Sequence, residues 1–192
     1  MTEPSASAAF RETLSRFASG VVVVVAHTPD GPVGMTASAF ASVSLDPPLV
    51  LVCVAHRASS HEGLVSAPSF GISVLSRPQE WIAEHVARRR ENRFAGIEFA
   101  PFWGAPVVAG ALAQMECTQH ARHNAGDHTI LVGRVVRSAV ADGALLVHFH
   151  RRYGDFTHVP PVRADAELLL AAAQAAARDD LVALRAVENE AS

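Results

Sequence analysis

Apolar positions along the chain follow the pattern of β-strands more than that of helices. Residues 21–26 and 49–55 are uninterrupted apolar runs rich in β-branched side chains, which predict strands buried on both faces. Further strands are predicted over residues 70–75, 111–123, 128–140 and 145–150. Turn-forming residues separate them at positions 28–31, 124–127 and 142–143. This succession predicts a mainly β fold, an antiparallel barrel with peripheral helices.

Helical periodicity is limited to short segments in most of the chain. Three apolar residues recur at i, i+4 and i+7 and predict an amphipathic helix over residues 8–18; they are Phe10, Leu14 and Phe17. A short helix is predicted after Ser60, which can cap its start. Another is predicted over residues 78–88, with Pro78 at its first position.

The C-terminal part of the chain differs in composition from the rest. From residue 164 onward it is rich in alanine, leucine and paired charges, which are strong helix formers. The chain is long enough for one domain with a substantial core and too short for two large ones. We therefore predict a barrel domain over residues 1–160 and a helical C-terminal appendage over residues 161–192.

Composition and charge argue against several classes of function. The 192-residue chain has a formal net charge of −3 and no long basic run, so it lacks the electrostatic signature of a nucleic-acid-binding protein. No apolar run reaches membrane-spanning length, and the first nine residues do not resemble a secretory signal. Cys53 and Cys117 lie in apolar runs, as reduced thiols do. These features predict a cytoplasmic protein without nucleic-acid or membrane partners.

One stretch carries unusual chemistry for a strand. Residues 34–40 read GMTASAF and combine a glycine, small hydroxyl residues and one aromatic side chain, before a double proline and an apolar run. Buried hydroxyls need hydrogen-bond partners, so this stretch suits a polar, uncharged, planar ligand. The alternative is an ordinary strand whose outer face is rich in serine and threonine.

Several short motifs recur in one order from about residue 10 to residue 156. They are GMTASAF at 34–40, SVSLDPPLV at 42–50, SSH at 59–61, FGISVL at 70–75, NRF at 92–94, GDHTI at 126–130 and RRYG at 151–154. In this order they resemble the short-chain flavin reductase family, NAD(P)H:flavin oxidoreductases that supply reduced flavin to two-component monooxygenases. The resemblance implies an FMN-binding split barrel, FMN or FAD as the flavin, and NADH or NADPH as the hydride donor. It also implies a homodimer and a separate oxygenase partner.

The resemblance further implies a flavin site along the hydroxyl-rich strand. The residues implied to line the isoalloxazine and ribityl portions are Met35, Thr36, Ala37, Ser38 and Phe40. A strand beneath the ring is implied for Val52, Cys53 and Val54. The phosphate end is implied to meet Ser59, Ser60 and His61, and the cofactor site also includes Arg93 and Phe94. The family more often has Asn at position 56 and Ser or Thr at position 61, where this chain has histidine, so the choice between FMN and FAD stays open.

The nicotinamide side of the implied site contains a histidine and a tyrosine. By resemblance, His128 is the catalytic residue that helps to place the nicotinamide, and Asp127 holds its turn. Tyr153 is implied to cover the opposite edge of the site. Each has a structural alternative: a histidine at a strand start often only forms hydrogen bonds, and a strand-end tyrosine often only packs on the barrel.

Two other polar groups have alternative interpretations. The basic cluster over residues 88–94 is either a solvated helix end or a rim that attracts the phosphates of a nucleotide. Ten histidines suggest a metal site, but His120 and His123 have opposite parity on one predicted strand, so no metal site is assigned. At the level of function, the alternatives to a reductase are a flavin- or haem-binding barrel without turnover and a flavin oxidase acting on a small amine or vitamin.

Overall fold

The computed structural model describes residues 6–88, 92–101 and 103–156. Its helices are α1 (Ala6–Leu14), α2 (His61–Ser66) and α3 (Glu80–Ala87). Its strands are β1 (Ser19–Gly20), β2 (Val22–Thr28), β3 (Gly31–Ala37), β4 (Phe40–Leu45), β5 (Pro48–Ala55), β6 (Ser69–Val74), β7 (Ala113–Ala125), β8 (His128–Val140), β9 (Leu146–Phe149) and β10 (Arg152–Asp155). The predicted C-terminal appendage and its boundary at residue 160 lie outside the described residues.

The strands form two antiparallel sheets. The larger sheet has the order β3-β2-β6-β7-β8-β5-β4, and the smaller one has the order β1-β9-β10. The two edge strands of the larger sheet, β3 and β4, are consecutive in the chain and are joined by Ser38 and Ala39 alone. The three residue steps from Ala37 to Phe40 span at most about 11 Å, so the sheet must curl until its two edges lie close together at this end. Because β3 and β4 do not pair, the barrel remains open there, and the predicted antiparallel β fold with peripheral helices is confirmed.

The core explains why residues 21–26 contain no polar position. Val22 and Val24 point into the barrel, where they pack with Val52. Val23 and Val25 point outward into a second cluster that includes residues of α3. A strand covered on both faces has no side exposed to water, so both sets of alternating side chains are apolar.

The structure shifts several predicted boundaries. The first helix ends at Leu14 rather than at residue 18, because Ser15 to Phe17 form turns. Helix α3 begins at Glu80, after a 3₁₀ turn over Arg77–Gln79 that contains Pro78. Strand β10 was not predicted, since its sequence RYGD has no apolar alternation. Among the described residues, no helix has the length and apolar character needed to cross a bilayer.

Candidate active site

An open cavity of about 770 Å³ lies beside the outer face of β4 and β5, within the usual size range of small-molecule sites. Side chains alternate along β5, so Val52 and Val54 are buried inside the barrel while Leu51 and Cys53 face outward. The β4–β5 side of the cavity is formed by Ser38, Ala39, Phe40, Ala41, Leu51 and Cys53. This side is mostly apolar, and most of its side chains are small, which leaves room for a flat ligand.

A smaller cavity of about 130 Å³ adjoins the first. Ser38 and His148 line both, so the two cavities meet at the link between β3 and β4. The smaller cavity is also lined by Thr36, Ala37 and Tyr153. The structure thus brings six of the predicted cofactor-site residues to this pair of cavities: Thr36, Ala37, Ser38, Phe40, Cys53 and Tyr153.

Hydroxyl groups in the GMTASAF stretch have different environments. Thr36 Oγ1 donates a hydrogen bond of 2.8 Å to the carbonyl oxygen of Ala83 in α3, so this hydroxyl fixes the helix against the sheet. Ser38 is exposed at the junction of the two cavities. The Thr36 hydroxyl thus already has a partner within the protein, while the Ser38 hydroxyl is exposed where the two cavities meet.

A second group of predicted residues lines neither cavity. Arg93 Nη1 donates to the carbonyl oxygen of Gly34 at 2.8 Å, and Arg93 Nη2 donates to Ser59 Oγ at 2.7 Å. These bonds tie the loop after β5 to β3. A side chain at position 34 would collide with the backbone of β2, and the Phe94 ring also lies against this glycine.

The other residues of the predicted basic cluster also form contacts within the protein wherever the structure describes them. Arg88 Nη2 lies 3.4 Å from Glu84 Oε2 across one helical turn. Arg89 and Arg90 lie outside the described residues. Phe94 packs on Phe99, with ring centroids 5.7 Å apart, and Met35 packs against the barrel core. Within the described part of the cluster, the arginines are thus engaged in contacts within the protein.

Histidines cluster where the loop after β5 meets the start of β8. His61 Nε2 is hydrogen-bonded with Thr129 Oγ1 at 2.9 Å, and the His56 ring stands edge-on to His61 at 5.1 Å. Next to them, Ser60 is 3% exposed and its Oγ has no hydrogen-bond partner among the described residues. Nowhere in residues 6–88, 92–101 and 103–156 do three histidine, cysteine or carboxylate side chains group to hold a metal ion.

His128 lies on the same face of the sheet as the cavity. Ile130 pairs with Cys53, and His128 pairs with Ala55, so His128 is one side-chain row beyond the Cys53 row, or about 7 Å along the strand. Its Nδ1 lies 2.7 Å from Asp127 Oδ1. This hydrogen bond lowers the pKa of the Asp127 carboxyl below its usual value.

Sequence reasoning assigned no site role to the residues that α1, the turns after it and the β9–β10 hairpin contribute to the larger cavity. They are Arg11 and Leu14 in α1, Ser15 and Phe17 after it, and His148 and Arg151 in the hairpin. The sequence signal for this part was the apolar stripe of the first predicted helix, and in the structure that stripe remains exposed: Leu14 is 54% and Phe17 77% exposed. For the hairpin the signal was the RRYG motif at 151–154, from which only Tyr153 was assigned to the site.

The turn of the β9–β10 hairpin has an unusual backbone. His150 and Arg151 have φ values of 49° and 63°, as the two central residues of a type I′ turn require. Asparagine and glycine favour this conformation, whereas other residues in it are strained by roughly 1 kcal/mol or more each. Contacts with α1 and with the residue after it stabilise the turn: the His150 amide donates to the Ser15 carbonyl at 2.8 Å, and Glu12 of α1 lies 3.4 Å from His150 and 3.5 Å from Arg151.

Fold and cavity together define a class. An open antiparallel barrel with a largely apolar cavity on the outer face of two strands is a split-barrel protein suited to a flat, ring-containing ligand. The chain belongs to the family of the flavin reductase like domain, whose model matches residues 14–157.

Similar proteins carry related names. The chain is 44% identical over 156 residues to the FMN reductase (NADH) SmoA of Agrobacterium fabrum, covering 79% of this chain and 87% of the relative. It is 43% identical to the reductase component of 4-hydroxyphenylacetate 3-monooxygenase from Thermus thermophilus, covering 76% and 93%. The solved structure of the Streptomyces globisporus NADH:FAD oxidoreductase SgcE6 is similar with a TM-score of 0.76 and 35% identity, covering 83% and 98%.

Proposed function

We propose that this protein is an NAD(P)H:flavin oxidoreductase that reduces FMN or FAD and releases the reduced flavin to a separate oxygenase. Family membership over residues 14–157 supports the flavin and the reaction class. Relatives named as an NADH-dependent FMN reductase and as a monooxygenase reductase component support the donor and the partner. The observation that carries the proposal is the cavity of about 770 Å³ beside Ala39, Ala41, Leu51 and Cys53.

Small side chains on the β4–β5 face would allow a ring system to lie flat against the strands. When bound, the flavin supplies the redox chemistry by accepting a hydride from the nicotinamide, and the protein contributes binding and orientation. Ser38 would offer its hydroxyl where the two cavities meet. Burial raises the pKa of the Cys53 thiol above its usual 9.0, which keeps this residue uncharged beside the ring at neutral pH.

Tyr153 and His128 are proposed for the nicotinamide side. Burial and, to a smaller extent, Glu84 raise the pKa of the Tyr153 hydroxyl, so at neutral pH it remains a protonated donor beside Ala37 and Ser38. His128 shares the face of Cys53, and its bond with Asp127 fixes the ring orientation. The other predicted cofactor-site residues remain proposed for the flavin as a whole: Met35, Val52, Val54, Ser59, Ser60, His61, Arg93 and Phe94.

We also propose a homodimer. Exposed apolar side chains lie on two strands of the larger sheet: Val43 and Leu45 on β4, and Val136 and Val140 on β8. Leu45 is 95% and Val140 87% exposed, and several exposed apolar side chains on one sheet favour an interface with a second copy. Sedimentation of the full chain tests this proposal, and a monomer at micromolar concentration would contradict it.

Flavin-dependent oxidation of the nicotinamide tests the proposed function. Purified protein is mixed with NADH or NADPH and with FMN or FAD, and the absorbance at about 340 nm is followed. We expect oxidation that depends on both the protein and the flavin. Tight flavin or haem retention without turnover would instead support a binding protein, and oxidation of a small amine without nicotinamide would support an oxidase.

A further inference from the structure

Charge is distributed unevenly around the larger cavity. Among the residues that the structure describes, those lining it include two arginines, Arg11 and Arg151, and no carboxylate. The arginines come from separate elements, α1 and the turn of the β9–β10 hairpin. Since the chain as a whole has a net charge of −3, this local excess of positive charge favours an anionic group on the ligand.

Arg151 retains hydrogen-bonding capacity. Its Nη2 lies 3.5 Å from Glu12 Oε2, longer than a charge-assisted hydrogen bond, whereas Arg16 approaches the other oxygen of Glu12 at 3.0 Å. A guanidinium has five N–H donors, so this long contact leaves most of them for another acceptor. The Arg151 side chain is 64% exposed, which makes it accessible to a ligand in the cavity.

The backbone at Arg151 supports the same conclusion. Its φ of 63° lies in the left-handed region, which glycine adopts without strain and arginine does not. The turn keeps this strained conformation because it is bonded to the Ser15 carbonyl and lies against Glu12 of α1. Backbone strain that the surrounding structure maintains beside a cavity is a reason to seek a function for the side chain.

We propose that Arg151, together with Arg11, binds a phosphate group of the nucleotide that occupies the larger cavity. The inference rests on the proposed function for the identity of the nucleotide. The phosphate is either that of the flavin or the diphosphate of the nicotinamide donor, since both present the same oxyanions to a guanidinium. That nucleotide would then be held by its ring in the larger cavity and by its phosphate at the arginines.

Equilibrium binding to paired ligands tests the inference without turnover. FMN is compared with riboflavin, and reduced nicotinamide mononucleotide with dihydronicotinamide riboside, so that the members of each pair differ only in a phosphate. Flavin binding is read by fluorescence quenching and by protection of Cys53 from alkylation, and donor binding by the fluorescence of its reduced ring. Cys117 does not interfere, since it is buried and burial raises its pKa to about 12.

Three variants make the test specific. Arg151→Gly removes the guanidinium and places glycine where the backbone favours it, so the fold should be retained. Arg151→Lys keeps the charge without the fork of donors. Arg152→Ser is the matched control, because Arg152 is an exposed neighbour on β10 that lines neither cavity.

We expect Arg151→Gly to weaken one phosphate-bearing ligand about tenfold while its phosphate-free partner changes less than about twofold. Loss for FMN assigns the flavin phosphate, and loss for reduced nicotinamide mononucleotide assigns the phosphate on the nicotinamide half of the donor. Arg151→Lys should fall between Arg151→Gly and the unaltered protein, and Arg152→Ser should bind like the latter. Equal losses within each pair, or no loss in either pair, would overturn the inference. Reductase turnover of the unaltered protein tests the proposed function separately.

Discussion

Polar groups in two regions of the proposed site have different partners. One region, here called the loop network, consists of two hydrogen-bonded sets that come close in sequence at Ser59 and His61, with distances of 2.7 to 2.9 Å: Arg93 with Gly34 and Ser59, and His61 with Thr129. The other is the larger cavity, where Ser38, Arg11 and Arg151 line a largely apolar space. The resemblance placed flavin contacts in both regions, whereas the structure leaves room for a ligand in the second.

This difference teaches how to interpret conspicuous polar residues. Side chains that already bond each other across long sequence separations hold the fold, whether or not a ligand also meets them. Arg93 spans 59 residues to Gly34, and His61 spans 68 to Thr129. An open cavity whose lining has an excess of one charge favours a ligand of the opposite charge. Substitutions in the loop network should therefore lower stability first, and substitutions in the cavity should lower affinity first.

The largest effect is expected from filling the cavity. Ala41→Phe places an aromatic ring in the space beside an exposed alanine of β4. We expect the affinity for FMN to fall on the order of 100-fold, because the ring occupies the ligand's position. Isothermal titration measures the affinity, and thermal unfolding should show a change of at most about 1 kcal/mol.

Ala139→Phe provides the matched control for that substitution. Ala139 is an exposed alanine on β8 that lines neither cavity. The Ala139→Phe variant should bind FMN with an affinity within about twofold of that of the unaltered protein. If Ala41→Phe also binds normally, the flavin lies elsewhere, and the comparison between the two regions loses its basis.

A smaller effect is expected from breaking the loop network. Arg93→Ala removes both hydrogen bonds and should lower the free energy of unfolding by about 1–3 kcal/mol, since a buried carbonyl loses a charged donor. Denaturant titration gives this value, and Arg93→Lys should recover part of it. Unchanged stability with strongly weakened FMN binding would instead assign Arg93 to the phosphate rim that the sequence suggested.

Thr36→Val and Ser38→Ala compare two neighbouring hydroxyl groups, one bonded within the protein and one exposed to the cavities. Thr36→Val removes the hydrogen bond to the Ala83 carbonyl with little change in shape, so we expect a loss of about 1 kcal/mol in unfolding free energy. FMN affinity should change less than about twofold. Ser38→Ala should show the reverse pattern, with normal stability and weaker binding. Equal patterns for the two variants would mean that both hydroxyls serve the same purpose.

Much of the fold follows from the sequence, for a clear physical reason. Strand β2 is covered on both faces, and this leaves a continuous apolar run that local pattern detects. Hairpin β7–β8 has glycine at a position where φ is +62°, which turn chemistry anticipates. The GMTASAF stretch was predicted as a ligand strand, and Ser38 and Phe40 do line the larger cavity.

The rest of the site depends on features that no local pattern encodes. His128 shares a face with Cys53 only because of the register between β5 and β8. Arg151 reaches the cavity through a type I′ turn without glycine or asparagine, so the usual signal of such a turn is missing. The apolar stripe of α1 suggested burial, whereas Leu14 and Phe17 border an open cavity.

The smallest effect is expected from acid on the contact between α1 and the β9–β10 hairpin. Hydrogen bonding from Arg16, with further contributions from His150 and Arg151, lowers the pKa of Glu12 below its usual 4.5. A carboxylate with a lowered pKa stabilises the folded contact above its ordinary pKa. That contribution is lost as the pH falls through the lowered value, when the carboxylate becomes protonated.

Hydrogen exchange of the α1 amides, corrected for the intrinsic rate, measures this contact. Protection should be constant from about pH 6 to pH 5 and should decrease below the usual pKa of 4.5, while protection in β2 stays unchanged over the same range. Glu12→Gln should give the low protection at every pH, because it cannot carry the charge that holds Arg16 and Arg151. Protection that is independent of pH in the unaltered protein would show that the Ser15 carbonyl bond alone fixes the hairpin, and that Arg151 is positioned without help from Glu12.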